Sequence, residues 1–193
     1  IKKFTNLKGL LILITIFLLT ITSFYFIKPF FFDFKKNEDI IKTKINDYLK
    51  MSSNLNGDIS YNIFPTPRLS IKNLELKFNE NEKNYLYLQK AYFKISFNKL
   101  QNINKIKIQK FIVKNQKIEV YPSDSKNYLK YFQKYKVDNL ILKNCEIFFT
   151  DLQSNKIFFK NFNLKKTIRN NKEKILIDGI FAENKFKIKF INE

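Results

Sequence analysis

The chain has 193 residues, which allows one modest domain and a membrane segment but not a two-domain enzyme. Its net charge of +19 is carried almost entirely by lysine, since Arg68 and Arg169 are its only arginines. Such a charge raises nucleic acid or an anionic membrane as partners, but lysine cannot read bases with a bidentate fork. Because histidine is absent and Cys145 is the only cysteine, an intrachain disulfide is excluded and no zinc or haem site is expected.

Residues 10–27, LLILITIFLLTITSFYFI, contain no charged side chain and predict a transmembrane helix. At a rise of about 1.5 Å per residue they span roughly 27 Å, close to the thickness of the hydrocarbon core of a bilayer. No small-residue cleavage site follows, so we expect the segment to remain as an anchor. The lysines in the basic stretch 1–9 favour a cytoplasmic N-terminus, which places the residues after the span outside the cytoplasm.

Residues 28–56 form the predicted juxtamembrane segment, and the stretch NEDIIKTKINDYLKMSSN within it predicts an amphipathic helix. Ile41, Ile45 and Leu49 recur every four residues, which puts them on one helical face. Asn37 is the candidate N-cap. We expect this helix to pack on the structure that follows it.

From Gly57 onward, apolar residues recur at a spacing of two, which is typical of strands with one apolar face. Strands are predicted at 58–63, 69–78, 91–97, 104–113, 117–121, 138–143, 145–149, 156–165, 174–181 and 185–191. A second helix is predicted at about 124–136. Residues 57–193 are therefore expected to form one mainly β domain built on a continuous antiparallel sheet.

Two prolines, Pro65 and Pro67, interrupt the strand pattern in YNIFPTPRLSIKNLELKF. Proline has no backbone N–H to donate to a sheet, so the first strand should end there and the next should begin at Arg68 or Leu69. We interpret the two prolines as a structural corner. Within the next strand the apolar phase slips, which predicts a bulge near Lys72 and Asn73.

The order of these segments resembles the start of the AsmA family of bacterial envelope proteins. A membrane span, an amphipathic helix and a Phe-Pro-x-Pro corner lead into LSIKNLEL, and YLYLQKAYFKISFNKL, INKIKIQKFIVKNQKIEV and VDNLILKNCEIFFTDLQSNKIFFKNFNL are similar to later family segments. Gln116 stands where the family pattern usually has proline, and Cys145 stands where glycine is typical. The resemblance covers essentially the whole chain, which is either complete or the N-terminal region of a longer protein.

The resemblance implies an inner-membrane-anchored, periplasmic protein of Gram-negative bacteria. It further implies a curved, open antiparallel sheet of the bridge-like lipid transfer type, forming an apolar groove, with a role in outer-membrane biogenesis or envelope phospholipid transport. The implied partners are phospholipid acyl chains and other envelope proteins.

A partly uncovered apolar face also agrees with the pattern, because only two short helices are available to cover the sheet. The residues predicted to line this groove are Leu69, Ile71, Phe93, Ile95, Phe97, Ile106, Ile108, Ile147, Phe149 and Phe159.

Three alternatives to lipid binding arise from the residues. Catalysis is not supported, because no phosphate loop and no nucleophile with a base is present, and no catalytic residue, metal or cofactor is predicted. Nucleic-acid binding is disfavoured because Phe alternates with Lys and the two point to opposite faces of a strand. A membrane-anchored scaffold that binds proteins through open sheet edges and regulates outer-membrane protein assembly without lipid stays open as the second hypothesis.

Overall fold

A computed structural model describes residues 2–77, 85–120, 137–150, 156–170 and 172–192. The α-helices are α1 (Lys2–Ile27) and α2 (Glu38–Leu49), and short 3-10 helices cover Lys28–Phe31, Phe97–Lys99 and Ile103–Lys105. The strands are β1 (Ser52–Leu55), β2 (Ile59–Asn62), β3 (Arg68–Lys77), β4 (Tyr85–Ile95), β5 (Ile108–Lys114), β6 (Lys117–Val120), β7 (Asn139–Thr150), β8 (Lys156–Arg169), β9 (Lys172–Phe181) and β10 (Asn184–Asn192). The second predicted helix, at about 124–136, lies outside the described residues.

Helix α1 contains the predicted membrane span, and with the 3-10 helix after it the stretch Leu7–Phe31 is long and apolar enough to cross a bilayer. The side chains of residues 10–24 are exposed, whereas those of Tyr25 and Phe26 are half-buried against the domain. Its threonine hydroxyls are satisfied locally: those of Thr15, Thr20 and Thr22 donate to carbonyls one turn earlier at 2.8 Å. The helix therefore presents no unpaired hydroxyl at these positions.

Helix α2 confirms the predicted amphipathic helix, and Ile41, Ile45 and Leu49 are buried as its apolar face. Asn37 is the N-cap residue, as predicted, but its side chain makes no capping hydrogen bond and its Nδ2 donates to the carbonyl of Asp33 at 2.7 Å. The predicted C-terminal end of the helix is wrong. The helix ends at Leu49 and not within MSSN, since Lys50 adopts a left-handed φ of 55° and the chain enters β1.

The strands form one open ten-stranded sheet in the order β1-β3-β4-β5-β7-β8-β9-β10, with β2 also pairing β3 and β6 also pairing β7. The prediction of an entirely antiparallel sheet is wrong, because β5 and β6 both pair with β7 in parallel. Parallel neighbours need a crossover connection, and the long stretch 121–138 between β6 and β7 supplies it. The sheet is therefore mixed.

Some predicted strand boundaries also change. The runs 138–143 and 145–149 belong to one strand, β7, and the predicted strand at 104–113 begins only at Ile108 because Ile103–Lys105 is a 3-10 helix. Likewise Phe97, placed by its alternation on a strand, lies in the 3-10 helix after β4. Alternation of apolar residues does not distinguish a strand end from a short 3-10 turn.

The two prolines lie between β2, which ends at Asn62, and β3, which begins at Arg68 where the sequence predicts the strand to start. β1 and β2 run end to end along β3, and the irregularity predicted near Lys72 and Asn73 is present. Residues 56–58 face only these two residues: the N–H of Asn56 donates to the carbonyl of Asn73, and the N–H of Lys72 donates to that of Asp58, both at 3.1 Å. The extra residue of the bulge is therefore on the β1–β2 side.

A Lys-Asn pair recurs within β3, β7 and β8 and between β5 and β6. It occurs at 72–73, 114–115, 143–144 and 160–161, and each of these asparagines has a left-handed φ between 49° and 52°. A left-handed residue interrupts the alternation of sides, so apolar residues three apart fall on one face, as in Ile71/Leu74 and Leu142/Cys145. Asparagine tolerates this conformation better than most residues.

These pairs lie next to one another across the sheet. Asn144 Nδ2 donates to Asn115 Oδ1 at 3.0 Å, and the backbone N–H of Asn144 donates to Asn163 Oδ1 at 2.8 Å. Gln116 continues the row, because its side-chain amide bonds both the N–H and the carbonyl of Lys90 in β4. Proline, expected at this position from the family pattern, could not form these bonds. The row lets one apolar face continue past the left-handed asparagines of β3, β7 and β8.

The core lies on that face, between the sheet and α2. It contains buried side chains from α2, from the loop after β4 and from strands β1 to β7. Tyr48 of α2 fixes the helix across the sheet, since its hydroxyl donates to the carbonyl of Asn139 at 2.9 Å. This burial raises the pKa of Tyr48 to about 12, and the negative charge of Asp138 adds to the effect. The closed core therefore stops near β7.

Candidate functional site

Most of the residues predicted to line a groove lie in this closed core. Phe93 is fully buried and its ring stacks on that of Phe111 with centroids 5.0 Å apart. The buried members of the predicted set are at most 7% exposed: Leu69, Ile71, Phe93, Ile95, Ile106, Ile108 and Ile147. These residues hold α2 and the loop after β4 on the sheet, so they do not form an open surface in this structure. The sequence does not show this because alternation reveals an apolar face but not what covers it.

The other three predicted residues lie elsewhere. Phe97 is exposed and packs edge-to-face on Phe26 at the end of α1, with ring centroids 5.8 Å apart. Phe149 lies in β7 opposite Ile157, and its side chain is outside what the structure describes. Phe159 is half-buried in β8 and belongs to a cluster of phenylalanine rings. Of the predicted set, Phe159 alone among described side chains lies on the part of the sheet face beyond β7.

That part of the face, on β8 to β10, continues the apolar face of the core. The pairing register shows that its side chains lie on the core side of the sheet, because Phe159 lies opposite Ile147 and Phe162 lies opposite Cys145, both core residues of β7. The ring of Phe159 contacts those of Phe162, Phe181 and Phe186 at centroid distances of 6.1, 5.0 and 5.8 Å. We call the following set the open apolar face: Phe159, Phe162, Leu164, Ile177, Phe181, Phe186, Ile188 and Phe190.

The open apolar face differs from the core in exposure. Phe181, Ile188 and Phe190 are 44%, 42% and 57% exposed, and every described side chain of β10 is exposed except that of Phe186. Lys187 and Lys189 alternate with these apolar residues on β10 and therefore lie on the opposite side. Most of these residues were missed as candidates, although the alternation in KFKIKF carries the signal. On β10, Phe186, Ile188 and Phe190 thus lie on one side, and Lys185, Lys187 and Lys189 lie on the other together with the exposed Ile191.

One end of the open apolar face carries a buried ion pair. Lys166 Nζ lies 2.6 Å from Glu173 Oε1, and the two side chains are 8% and 23% exposed. Lys166 pairs with Leu140 of β7 and Ile175 of β9, so its stem lies in the apolar row and its charge needs this carboxylate. The ion pair therefore gives the buried ammonium group of Lys166 a partner at this end of the open apolar face.

Helix α1 is held against the domain at this same end of the sheet. The hydroxyl of Tyr25 donates to the carbonyl of Phe97 at 2.6 Å, and Gln101 Nε2 donates to the carbonyl of Tyr25 at 2.7 Å. Phe30 adds an edge-to-face contact with Tyr61 of β2 at 4.8 Å. Because a carbonyl in the last turn of a helix has no intrahelical donor, the bond from Gln101 also satisfies α1 itself. Helix α1 therefore meets the domain at the end where β4 finishes and β5 and β7 begin.

Chemical groups for a metal site are not assembled in the described part of the chain, where no cluster of three His, Cys, Asp or Glu side chains could hold an ion. Burial raises the pKa of the Cys145 thiol, which keeps it protonated.

No protein-family model, curated protein or solved structure matches this chain. The resemblance to the AsmA family therefore stays an interpretation of the sequence motifs.

Proposed function

We propose that this protein is a membrane-anchored, non-catalytic lipid-contact protein whose open apolar face receives phospholipid acyl chains. The observation that carries the proposal is the continuity of that face: the side of the sheet that forms the closed core under α2 extends across β8 to β10, where Ile188 and Phe190 are exposed. Exposed apolar surface of this kind marks a lipid or protein partner.

The position of the anchor supports the choice of lipid. Phe190 of β10 lies opposite Ile175 of β9, next to the row in which Thr167 of β8 lies opposite Asn139 of β7. This row is at the end of the sheet where α1 docks. An acyl chain leaving the bilayer beside α1 would meet this end of the open apolar face first. No groove wall is needed for such contact, because one apolar face can cover one side of a chain.

The AsmA-like order of motifs supports a setting for this activity. We propose that the chain is anchored in the inner membrane with its N-terminus in the cytoplasm and its sheet in the periplasm. There it would act in envelope phospholipid transport or outer-membrane biogenesis.

Photo-crosslinking from the two sides of β10 tests the proposal. Benzoylphenylalanine is placed at Ile188 or Phe190 on the apolar side, and at Lys187 or Lys189 on the basic side as matched controls in the same strand. We expect phospholipid adducts by mass spectrometry from the apolar side and few from the basic side. Equal lipid adducts from both sides, or none from either, would contradict the proposal.

A second candidate function, a protein-binding scaffold, is favoured by one observation. β10 pairs only with β9 among the described strands, so its outer backbone edge is open for another strand. In the same experiment, adducts to proteins from both sides of β10, with native mass spectrometry of the full chain finding no bound phospholipid, would favour the scaffold over lipid contact.

A further inference from the structure

A concave region lies at the end of the sheet where α1 docks, away from the open apolar face. It is a hollow of about 530 Å³ where β4 ends and β5 and β7 begin. Its lining includes four lysines, Lys94, Lys99, Lys107 and Lys110, with Asp138 as the one acid among its described lining residues. We call these four side chains the lysine cluster.

The fold forces these positive charges together. Lys94 and Lys110 lie directly opposite each other on adjacent antiparallel strands, where like charges repel. In the described part of the chain none of the four lysines forms a salt bridge. Burial lowers the pKa of Lys110, and the charges of Lys94 and Lys165 lower it further. The fold therefore tolerates an arrangement that an anion would stabilise.

The hollow also contains neutral groups that bond oxygen. Ser96, Asn98 and Asn139 line it beside the lysines, and the hydroxyl of Ser96 donates to Asn98 Oδ1. The amide N–H groups of Asn98 and Asn139 together with the ammonium groups match the oxygens of a phosphate, for which lysine acts as a point charge. The volume is within the usual range for a small-molecule site.

The position of the hollow relative to α1 indicates the source of such a phosphate. Its wall includes Ser96 to Lys99, and Phe97 within that stretch accepts the hydrogen bond from Tyr25 at the end of the anchor helix. If α1 crosses the bilayer, its end lies at the depth of the lipid headgroups. Exposed lysines at that depth are attracted to anionic lipid.

We propose that the lysine cluster is a phosphate-binding site that takes the headgroup phosphate of an anionic phospholipid. The membrane source depends on the proposed anchoring, whereas the phosphate chemistry does not depend on the open apolar face. A soluble phosphate compound would present the same group, so the two sources are separated by experiment.

Equilibrium binding to the full chain in a neutral detergent tests the site. The probes are dihexanoyl phosphatidic acid, dihexanoyl phosphatidylcholine and inorganic phosphate, each measured by calorimetry. The double variant Lys94→Gln/Lys110→Gln is compared with Lys187→Gln/Lys189→Gln, which removes the same charge from β10. We expect the first variant to lose about tenfold or more in affinity for phosphatidic acid and the second to stay within about twofold.

The probes then identify the source. If phosphatidic acid binds and both phosphatidylcholine and inorganic phosphate bind much more weakly, the ligand is an anionic lipid headgroup. Inorganic phosphate that binds as tightly and displaces the lipid supports the phosphate site but assigns it to a soluble ligand. Equal losses in both double variants, or no binding of any probe, would overturn the proposal.

Two further measurements keep the result interpretable. Lys110→Arg retains the positive charge and should therefore retain binding of phosphatidic acid. If this variant loses binding while its urea unfolding midpoint is unchanged, a charge-based site is overturned. If its midpoint falls as well, the loss reflects a folding defect, and the comparison then rests on Lys94→Gln/Lys110→Gln. Crosslinking from Phe190 should be unaffected by Lys94→Gln/Lys110→Gln. The phosphate site and the acyl-chain contact can therefore fail independently.

Discussion

Cys145 lies on the core side of β7 with none of its surface exposed, and its raised thiol pKa follows from that burial. Since the thiolate is the reactive form, we expect maleimide to label Cys145 very slowly in the folded protein and rapidly in urea. A variant with Lys143→Cys, at an exposed position of the same strand, should gain one fast label when folded. Fast labelling of Cys145 itself without denaturant would contradict its placement in the core.

Glu173 neutralises Lys166, whose side chain is almost fully buried. We expect Glu173→Gln to lower the free energy of unfolding by about 2 kcal/mol, because it leaves a buried ammonium without its carboxylate. Asp58→Asn is the matched control, since it breaks the exposed pair with Lys72 at 3.2 Å and should cost no more than about 0.5 kcal/mol. Urea unfolding in detergent measures both, and equal losses would show that burial does not matter here.

Tyr48 makes the free energy of unfolding depend on pH in the alkaline range. Its pKa is raised to about 12 in the folded protein, so the unfolded chain loses this proton first as pH rises above the ordinary value near 10. The contribution of Tyr48 is thus fully present below about pH 10 and is lost towards about pH 12.

The variant Tyr48→Phe tests this dependence. It removes the bond to Asn139 and should cost about 1 kcal/mol at about pH 8. The difference from the wild type should shrink by about pH 11, because the tyrosine then pays for staying protonated. Urea midpoints at the two pH values measure the gap, and a gap that grows with pH would contradict the assignment.

Among the elements, the strands are shaped by their left-handed asparagines. Asn161 has a φ of 49° and an exposed side chain, so its conformation can be tested with little loss of side-chain contact. We expect Asn161→Val to cost about 1–2 kcal/mol, because a β-branched residue is strained in this region, and Asn161→Gly to stay within about 0.5 kcal/mol of the wild type. Chemical unfolding compares the pair, and similar stability of the valine and glycine variants would sink the explanation.

At the scale of the whole molecule, one sheet face is buried under α2 in one part and exposed in another. Phe93→Ala should cost about 3–5 kcal/mol, because Phe93 is fully buried in the closed core. Phe190→Ala, at a largely exposed position, should change stability by no more than about 0.5 kcal/mol while weakening the proposed lipid contact. Urea unfolding and recovery of bound phospholipid measure the two effects. Loss of lipid with Phe93→Ala in a protein that stays folded would place the site in the wrong half of the sheet.

The proline corner also belongs to this scale. We expect Pro65→Ala or Pro67→Ala to loosen the start of the sheet by freeing the chain between β2 and β3, without altering lipid contact at β10. Limited proteolysis near the corner measures the first effect and crosslinking from Phe190 the second.

The sequence by itself determined the local features of this protein. The length of the stretch without charged residues predicted the apolar span in α1, and apolar residues four apart predicted the buried face of α2. The alternation of apolar and polar residues predicted most strands, and the two prolines predicted where β3 begins. These features depend on nearby residues, so their signals lie within short windows. Even the slip at Asn73 was visible in the pattern.

Only the tertiary structure decided how those segments meet. The parallel pairing of β5 and β6 with β7 depends on a crossover, and the burial of Phe93 and Ile95 depends on where α2 comes to rest. For the same reason the exposed apolar side chains of the sheet include those of Phe181, Ile188 and Phe190, and Lys94 and Lys110 lie opposite each other. A strand pattern records which side of a strand is apolar, but contacts between segments distant in sequence decide which part of that side is covered.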